Sequence, residues 1–95
     1  MNILLIGCTG FLGKSIIHRL LTRTKHTLFL AIRPKNKLTI EQRTQNIIDD
    51  FNLSEYKSRL IAISVKYDEE RKLIIGLTDK TKLLKETNIV INALA

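Results

Sequence analysis

The chain has 95 residues, 44% of them apolar and 26% charged, with one proline, no tryptophan and a formal net charge of +7. That length bounds it to one small domain, and the apolar share lets it bury a core, which excludes a disordered segment. A lone cysteine, Cys8, excludes an internal disulfide and a cysteine metal cluster, and no run approaches the ~20 apolar residues that cross a membrane.

Residues 2–6, NILLI, form a continuous apolar run, the pattern of a strand covered on both faces. Gly7, Gly10 and Gly13 follow at intervals of three residues. From Phe11 to about Arg23, Leu12, Ile16, Ile17, Leu20 and Leu21 recur at helical spacing with basic residues between them. TLFLAI (27–32) predicts a second buried strand, and the proline and asparagine of RPKNK mark the loop that closes it. Thr39 followed by Gln42 fits a capping box, opening a helix with Ile40, Ile47, Ile48 and Phe51 on one side. FNLSEYKS reads as a polar connection with up to one helical turn, and LIAISV (60–65) as a third strand. The charged stretch 66–72 reads as loop, Thr78 to about Glu86 as a short helix, and NIVINA (88–93) as a fourth strand.

The order is β-α-β-α-β-α-β, about four strands. Alternation of this kind implies a parallel sheet with right-handed crossovers, the first half of a doubly wound α/β nucleotide-binding fold. In that fold the first strand lies in the middle and the fourth beside it. The short N-terminal apolar stretch lacks a basic leader and is broken by Gly7 and Gly10, so it is no secretory signal, and a cytoplasmic location is expected.

Charge is distributed unevenly. Residues 1–40 hold no Asp or Glu but seven basic residues: Lys14, Arg19, Arg23, Lys25, Arg33, Lys35 and Lys37. Residues 41–95 balance, with nine basic and nine acidic residues. An anionic ligand bound by the first 40 residues accounts for this asymmetry at least as well as nucleic acid does.

A helix start exposes unpaired N–H groups and a partial positive charge, which suit phosphate. Glycines there permit a tight turn, the approach of a pyrophosphate and close packing of helix on strand. The spacing G-x-x-G-x-x-G differs from the simplest dinucleotide fingerprint, but strand before and helix after favour a dinucleotide phosphate site over a purely structural turn. An acid about 20 residues on would bind the free ribose of NAD, whereas an arginine suits the extra phosphate of NADP. Arg33 stands 20 residues after Gly13. With no acid before it, the expected cofactor is NADP(H).

With IGCTGFLG, AIRPKNK and IEQRTQNIIDDFNL in place, the chain resembles the start of an extended short-chain dehydrogenase/reductase. It is most similar to the branch of thioester reductase domains and fatty acyl-CoA reductases, with the "male sterility" type of NAD-binding domain. YDEERKLIIGL and INALA are looser matches: Tyr67 stands where a glycine is usual, and Ile6 where a threonine is. The resemblance implies an NAD(P)-binding Rossmann-type domain, partial and single over residues 1–95. It assigns Gly7, Thr9, Gly10, Phe11, Leu12 and Gly13 to the pyrophosphate turn, Arg33 to the 2′-phosphate, Asp68 to the adenine edge and Ala93 to the ribose side. It also implies a full-length enzyme that reduces acyl thioesters.

The family's catalytic Tyr-x-x-x-Lys is missing here: Tyr56 and Tyr67 are followed four residues on by Leu60 and Arg71. No metal or catalytic residue is assigned, and His18 and His26 have no partner at a telling spacing. The chain alone is therefore expected to bind cofactor without performing chemistry, as a fragment or a product whose open sheet edge is covered by a partner chain. The rival expectation is a non-catalytic nucleotide-binding or interaction module.

Overall fold

The structure, a computed structural model, describes residues 1–35, 37–67, 69–70, 73–75, 83 and 85–93. Its elements are β1 (Asn2–Ile6), α1 (Phe11–Arg23), β2 (Thr27–Ile32), α2 (Ile40–Asp50), a 3-10 segment (Ser54–Arg59), β3 (Leu60–Tyr67), β4 (Leu73–Ile75) and β5 (Ile89–Asn92). Five strands form one sheet in the order β4-β3-β2-β1-β5. β1 pairs in parallel with β2 (Leu4 with Phe29) and with β5 (Leu4 with Val90), and β2 pairs in parallel with β3 (Phe29 with Ile61).

The apolar runs of β1 and β2 are continuous because both of their faces are covered. Ile3, Leu5, Leu28, Leu30 and Ile32 point to one face, where they pack with Ile17 and Leu21 of α1 and Ile47 and Ile48 of α2. Leu4, Phe29 and Ala31 point to the other, where Ile63, Val65 and Leu83 join them. Leu5, Leu28 and Leu30 are completely excluded from solvent. Each such side chain contributes on the order of 1.5–3 kcal/mol relative to exposure. Along α1, Gly13, Ile17 and Leu21 are buried at intervals of four while Arg19 and Arg23 face outward, so the helical period sets which face meets the sheet.

Thr39 caps α2 as its sequence predicts. The Gln42 N–H donates to Thr39 Oγ1 at 3.1 Å, and the Thr39 N–H donates to Gln42 Oε1 at 2.8 Å. The third strand runs longer than expected, and the loop assigned to 66–72 is corrected in part. Lys66 and Tyr67 continue β3 and pair antiparallel with Ile74 and Leu73 of β4. Three apolar residues after a charged stretch are too short for a periodic signal, yet Ile75 packs on the second cluster and the ladder forms. Of the helix expected at Thr78–Glu86, Leu83, Lys85 and Glu86 have helical backbone, and the rest of that stretch lies outside the described residues.

From β1 the chain steps outward to β2, β3 and β4, then returns to the far side of β1 as β5. The reversal lies between β1 and β5, and ligands of open α/β sheets bind at the carboxyl ends of strands at such a point. Among the described residues no strand pairs with the outer edge of β5, where Ile89 and Val90 are exposed. No described helix is long and apolar enough to cross a membrane.

Candidate functional site

The turn after β1 is built by its glycines for two different reasons. Gly7 has φ +78°, the left-handed region that side chains rarely adopt. Gly13 is buried, and a Cβ there would lie 2.5 Å from Cys8 Cα and 2.8 Å from the Cys8 carbonyl carbon, and closer still to the Gly7 carbonyl oxygen. Helix α1 therefore sits directly on the turn. Gly10 is the N-cap, with extended backbone, and no side chain caps the helix. A Cβ at Gly10 would meet only the Gly7 carbonyl oxygen, at 3.8 Å, so the space outside the turn is open. The first turn of α1 carries no acid, and Phe11 and Leu12 are exposed.

These features fit an anionic group: first-turn N–H donors without a side-chain cap, a helix start with its partial positive charge, and an uncrowded approach. Thr9 stands at the edge of the turn, half-buried, and lines a small cavity of about 160 Å³ with Lys14, Leu38, Arg43, Asn46 and Ile47.

Arg33 follows β2 directly, and Ala93 follows β5 directly. Because β1, β2 and β5 are parallel and in register, Gly7, Arg33 and Ala93 all leave the same carboxyl edge of the sheet. The Ala93 N–H donates to the Ile6 carbonyl at 2.8 Å, which holds it beside the turn at the point of strand reversal. Arg33 is exposed, and its carbonyl accepts from the Arg43 guanidinium. Asp68 lies outside the described residues.

Arg43 is the residue to which sequence reasoning gave no role. It stands in the first turns of α2, reaches the Arg33 carbonyl, and shares a cavity with Thr9 and Lys14. Its position in the stretch Glu41-Gln42-Arg43 was visible; its reach back to the β2 loop was not. Lys14, one turn into α1, pairs with Asp50 at 3.4 Å.

Cys8, Tyr56, His18 and His26 do not join this site. Burial pushes the Cys8 thiol up to about 11, with its own backbone hydrogen bond and the Arg43 charge acting the other way. It is a packed apolar neighbour of the core rather than a nucleophile. Tyr56 lies in the 3-10 segment that precedes β3, at the opposite end of the sheet, and a hydrogen bond with Glu55 raises its pKa. A tyrosine acting as a proton donor at neutral pH needs the reverse shift. His18 lies against Phe51, with ring centroids 5.9 Å apart, and the His26 carbonyl accepts from Arg59 at 3.3 Å.

Comparison with known proteins agrees with this arrangement. The family described as "Male sterility protein", an NAD-binding domain family, matches residues 5–95. Fatty acyl-CoA reductase 1 of Rattus norvegicus is 29% identical over 104 residues, covering 99% of this chain and 20% of the relative. Fatty acyl-CoA reductase 2 of Bos taurus is 31% identical with the same coverage. The chain thus spans about a fifth of the length of these relatives. Among solved structures, the terminal R domain from the myxalamid PKS-NRPS biosynthetic pathway aligns with TM-score 0.75 at 22% identity, over 97% of this chain and 24% of that one. A thiolation-reductase di-domain from an archaeal non-ribosomal peptide synthetase aligns with TM-score 0.71 at 26% identity, over 99% and 20%. The glycine turn at the head of α1, the mostly parallel sheet that reverses beside it, and a family match across nearly the whole sequence lead to one conclusion: the chain belongs to the male sterility family of NAD-binding domains.

Proposed function

We propose that residues 1–95 are a single, partial NADP(H)-binding domain of an oxidoreductase that reduces acyl thioesters. The observation that carries this reading is the position of Arg33. It leaves the carboxyl edge of β2 beside the glycine turn, and no acid occurs in the first 40 residues. In this reading Gly7, Thr9, Gly10, Phe11, Leu12 and Gly13 hold the pyrophosphate, through backbone N–H groups and the open face of the turn. Arg33 pairs with the 2′-phosphate as a fork of donors, with the charge of Arg43 behind it. Asp68 serves the adenine edge and Ala93 the ribose side.

When bound, the cofactor supplies hydride to an acyl carbonyl in a full-length enzyme. These 95 residues bind and orient; the Tyr-x-x-x-Lys pair that moves the proton is not among them. The second reading is a non-catalytic nucleotide-binding or interaction module. In either reading the exposed outer edge of β5 is covered by further chain, its own or a partner's.

Titration with NADPH and NADH tests the cofactor assignment. NADPH is expected to bind about tenfold more tightly, and Arg33→Ala to bring the two cofactors to similar affinity, a loss of ~1.4 kcal/mol for the phosphate alone. Equal binding of both by the unmodified chain overturns NADP preference; binding of neither overturns the reading altogether. A chain that binds NADPH but gains no acyl-CoA reduction from a supplied Tyr-x-x-x-Lys-bearing remainder favours the second reading.

A further inference from the structure

The cofactor reading uses the basic residues at the carboxyl edge of the sheet and leaves others unused. Arg19 and Arg23 lie nine and thirteen residues down α1 from Gly10, roughly 13 and 20 Å along the helix axis from the turn. Neither has an acidic partner among the described residues, and both are exposed. Arg23, in the last turn, has a structural use at the negative end of the helix dipole. Mid-helix, Arg19 has no such use.

The two arginines line a groove of about 600 Å³, with Leu12, Ile16 and Phe51 also among its lining residues. Leu12, Ile16, Arg19 and Arg23 follow at i, i+4, i+7 and i+11, so they make one continuous stripe along the outer face of α1. Ser15 and Thr22 also line the groove. Apolar side chains (Leu12, Ile16 and Phe51) beside two arginines along one helix face have the form that accepts an amphipathic helix. The charge of the arginines sets the sign of that helix, because like charges would be opposed across the contact. The groove is concave, which suits a helix better than a flat bilayer. Its one lining ring other than histidine, Phe51, already lies against His18, so it offers no open platform for nucleic-acid bases.

We infer that the outer groove of α1, between the Leu12–Ile16–Arg19–Arg23 stripe and Phe51, is a docking surface for an acidic amphipathic helix of a partner protein. It shares only Leu12 with the residues assigned to the cofactor, and its occupancy does not depend on nucleotide.

The test uses the full 95-residue chain and a fluorescein-labelled helical peptide of about 18 residues, five turns long, with leucines at i, i+3, i+4 and i+7 and glutamates elsewhere. Saturable binding that weakens with added salt is expected, unchanged by saturating NADPH. The same peptide with lysine in place of glutamate should not bind. Amide shifts on titration should centre on Ser15, Ile16, Arg19, Thr22 and Phe51. Arg19→Glu with Arg23→Glu should weaken binding at least about tenfold, while Lys57→Glu should leave it unchanged. If the double reversal does not fold, Arg19→Gln with Arg23→Gln is read in the same titration, with a smaller loss in the same direction. Absence of saturable binding, shifts centred elsewhere, or binding indifferent to the arginines overturns the proposal. So does tighter, arginine-dependent binding of phosphatidylserine vesicles or duplex DNA than of the acidic peptide, which would assign the surface to a lipid or nucleic acid.

Discussion

The two ends of the sheet are finished in opposite ways. At the amino end of the strands, backbone groups are tied down by side chains. Arg59 donates to the Thr24 carbonyl at 2.7 Å, to the His26 carbonyl at 3.3 Å and to the Leu21 carbonyl, while its guanidinium lies over the Tyr56 ring, 5.2 Å from the centroid. Asn2 Nδ2 donates to the Glu86 carbonyl at 2.9 Å, and the Asn2 N–H donates to Asn88 Oδ1 at 2.8 Å. At the carboxyl end the head of α1 has no side-chain cap and no acid, and its flanking Phe11 and Leu12 face solvent. A helix terminus left open costs stability unless something outside the chain completes it. The contrast supports the proposed site: the amino end is closed by the chain's own side chains, whereas at the carboxyl end Arg43 ties down the Arg33 carbonyl but the head of α1 stays open to an anion such as the proposed pyrophosphate.

The largest expected effect breaks the carboxyl end itself. Gly13→Ala places a methyl group against the backbone of Gly7 and Cys8, atoms that cannot rotate away. Helix α1 must lift from the turn, at a cost of ~3 kcal/mol or more. Thermal or urea denaturation reads this directly. An alanine variant as stable as the parent would mean that the helix does not sit on the turn as described.

A smaller loss is expected at the closed end. Arg59→Ala removes donors to three carbonyls around the end of α1 and the start of β2, and exposes no new ligand surface. Hydrogen bonds from a charged donor contribute ~1.5–3 kcal/mol when well formed. Partial exposure of Arg59 brings the expected loss to about 2 kcal/mol. Nucleotide affinity should be unchanged, since the two ends are separated by the length of the strands. A variant that loses affinity in the folded state would show the ends to be coupled.

What could be read from the sequence, and what could not, follows the reach of each interaction. The bounds of α1, the capping box of α2 and the glycine turn are local patterns, legible because residues three or four apart determine them. The placement of β5 beside β1 followed from the alternation of strands and helices. β4 was missed because three apolar residues, Leu73–Ile75, become a strand only by pairing with β3. Arg59 and Arg43 carried no readable role for the same reason. Their partners lie 33–38 and 10 residues away in sequence, and only folding brings the guanidinium groups to those carbonyls.

The smallest effect on stability is the sharpest test of the comparison. Gly10→Ala adds a methyl group whose nearest contact, the Gly7 carbonyl oxygen at 3.8 Å, is an ordinary one, on a backbone with φ −80° that alanine adopts freely. The gain from a stiffer unfolded chain and the loss of a favoured N-cap residue nearly offset, leaving stability within about 0.5 kcal/mol. The methyl group does, however, enter the space through which a pyrophosphate would approach the first-turn N–H groups. Nucleotide affinity should therefore fall by about tenfold, ~1.4 kcal/mol, while the melting temperature stays in place. Gly13→Ala and Gly10→Ala then separate within one turn the glycine that the fold requires from the glycine that the ligand requires. If Gly10→Ala left nucleotide binding intact, the open face of the turn would not be the face the cofactor uses.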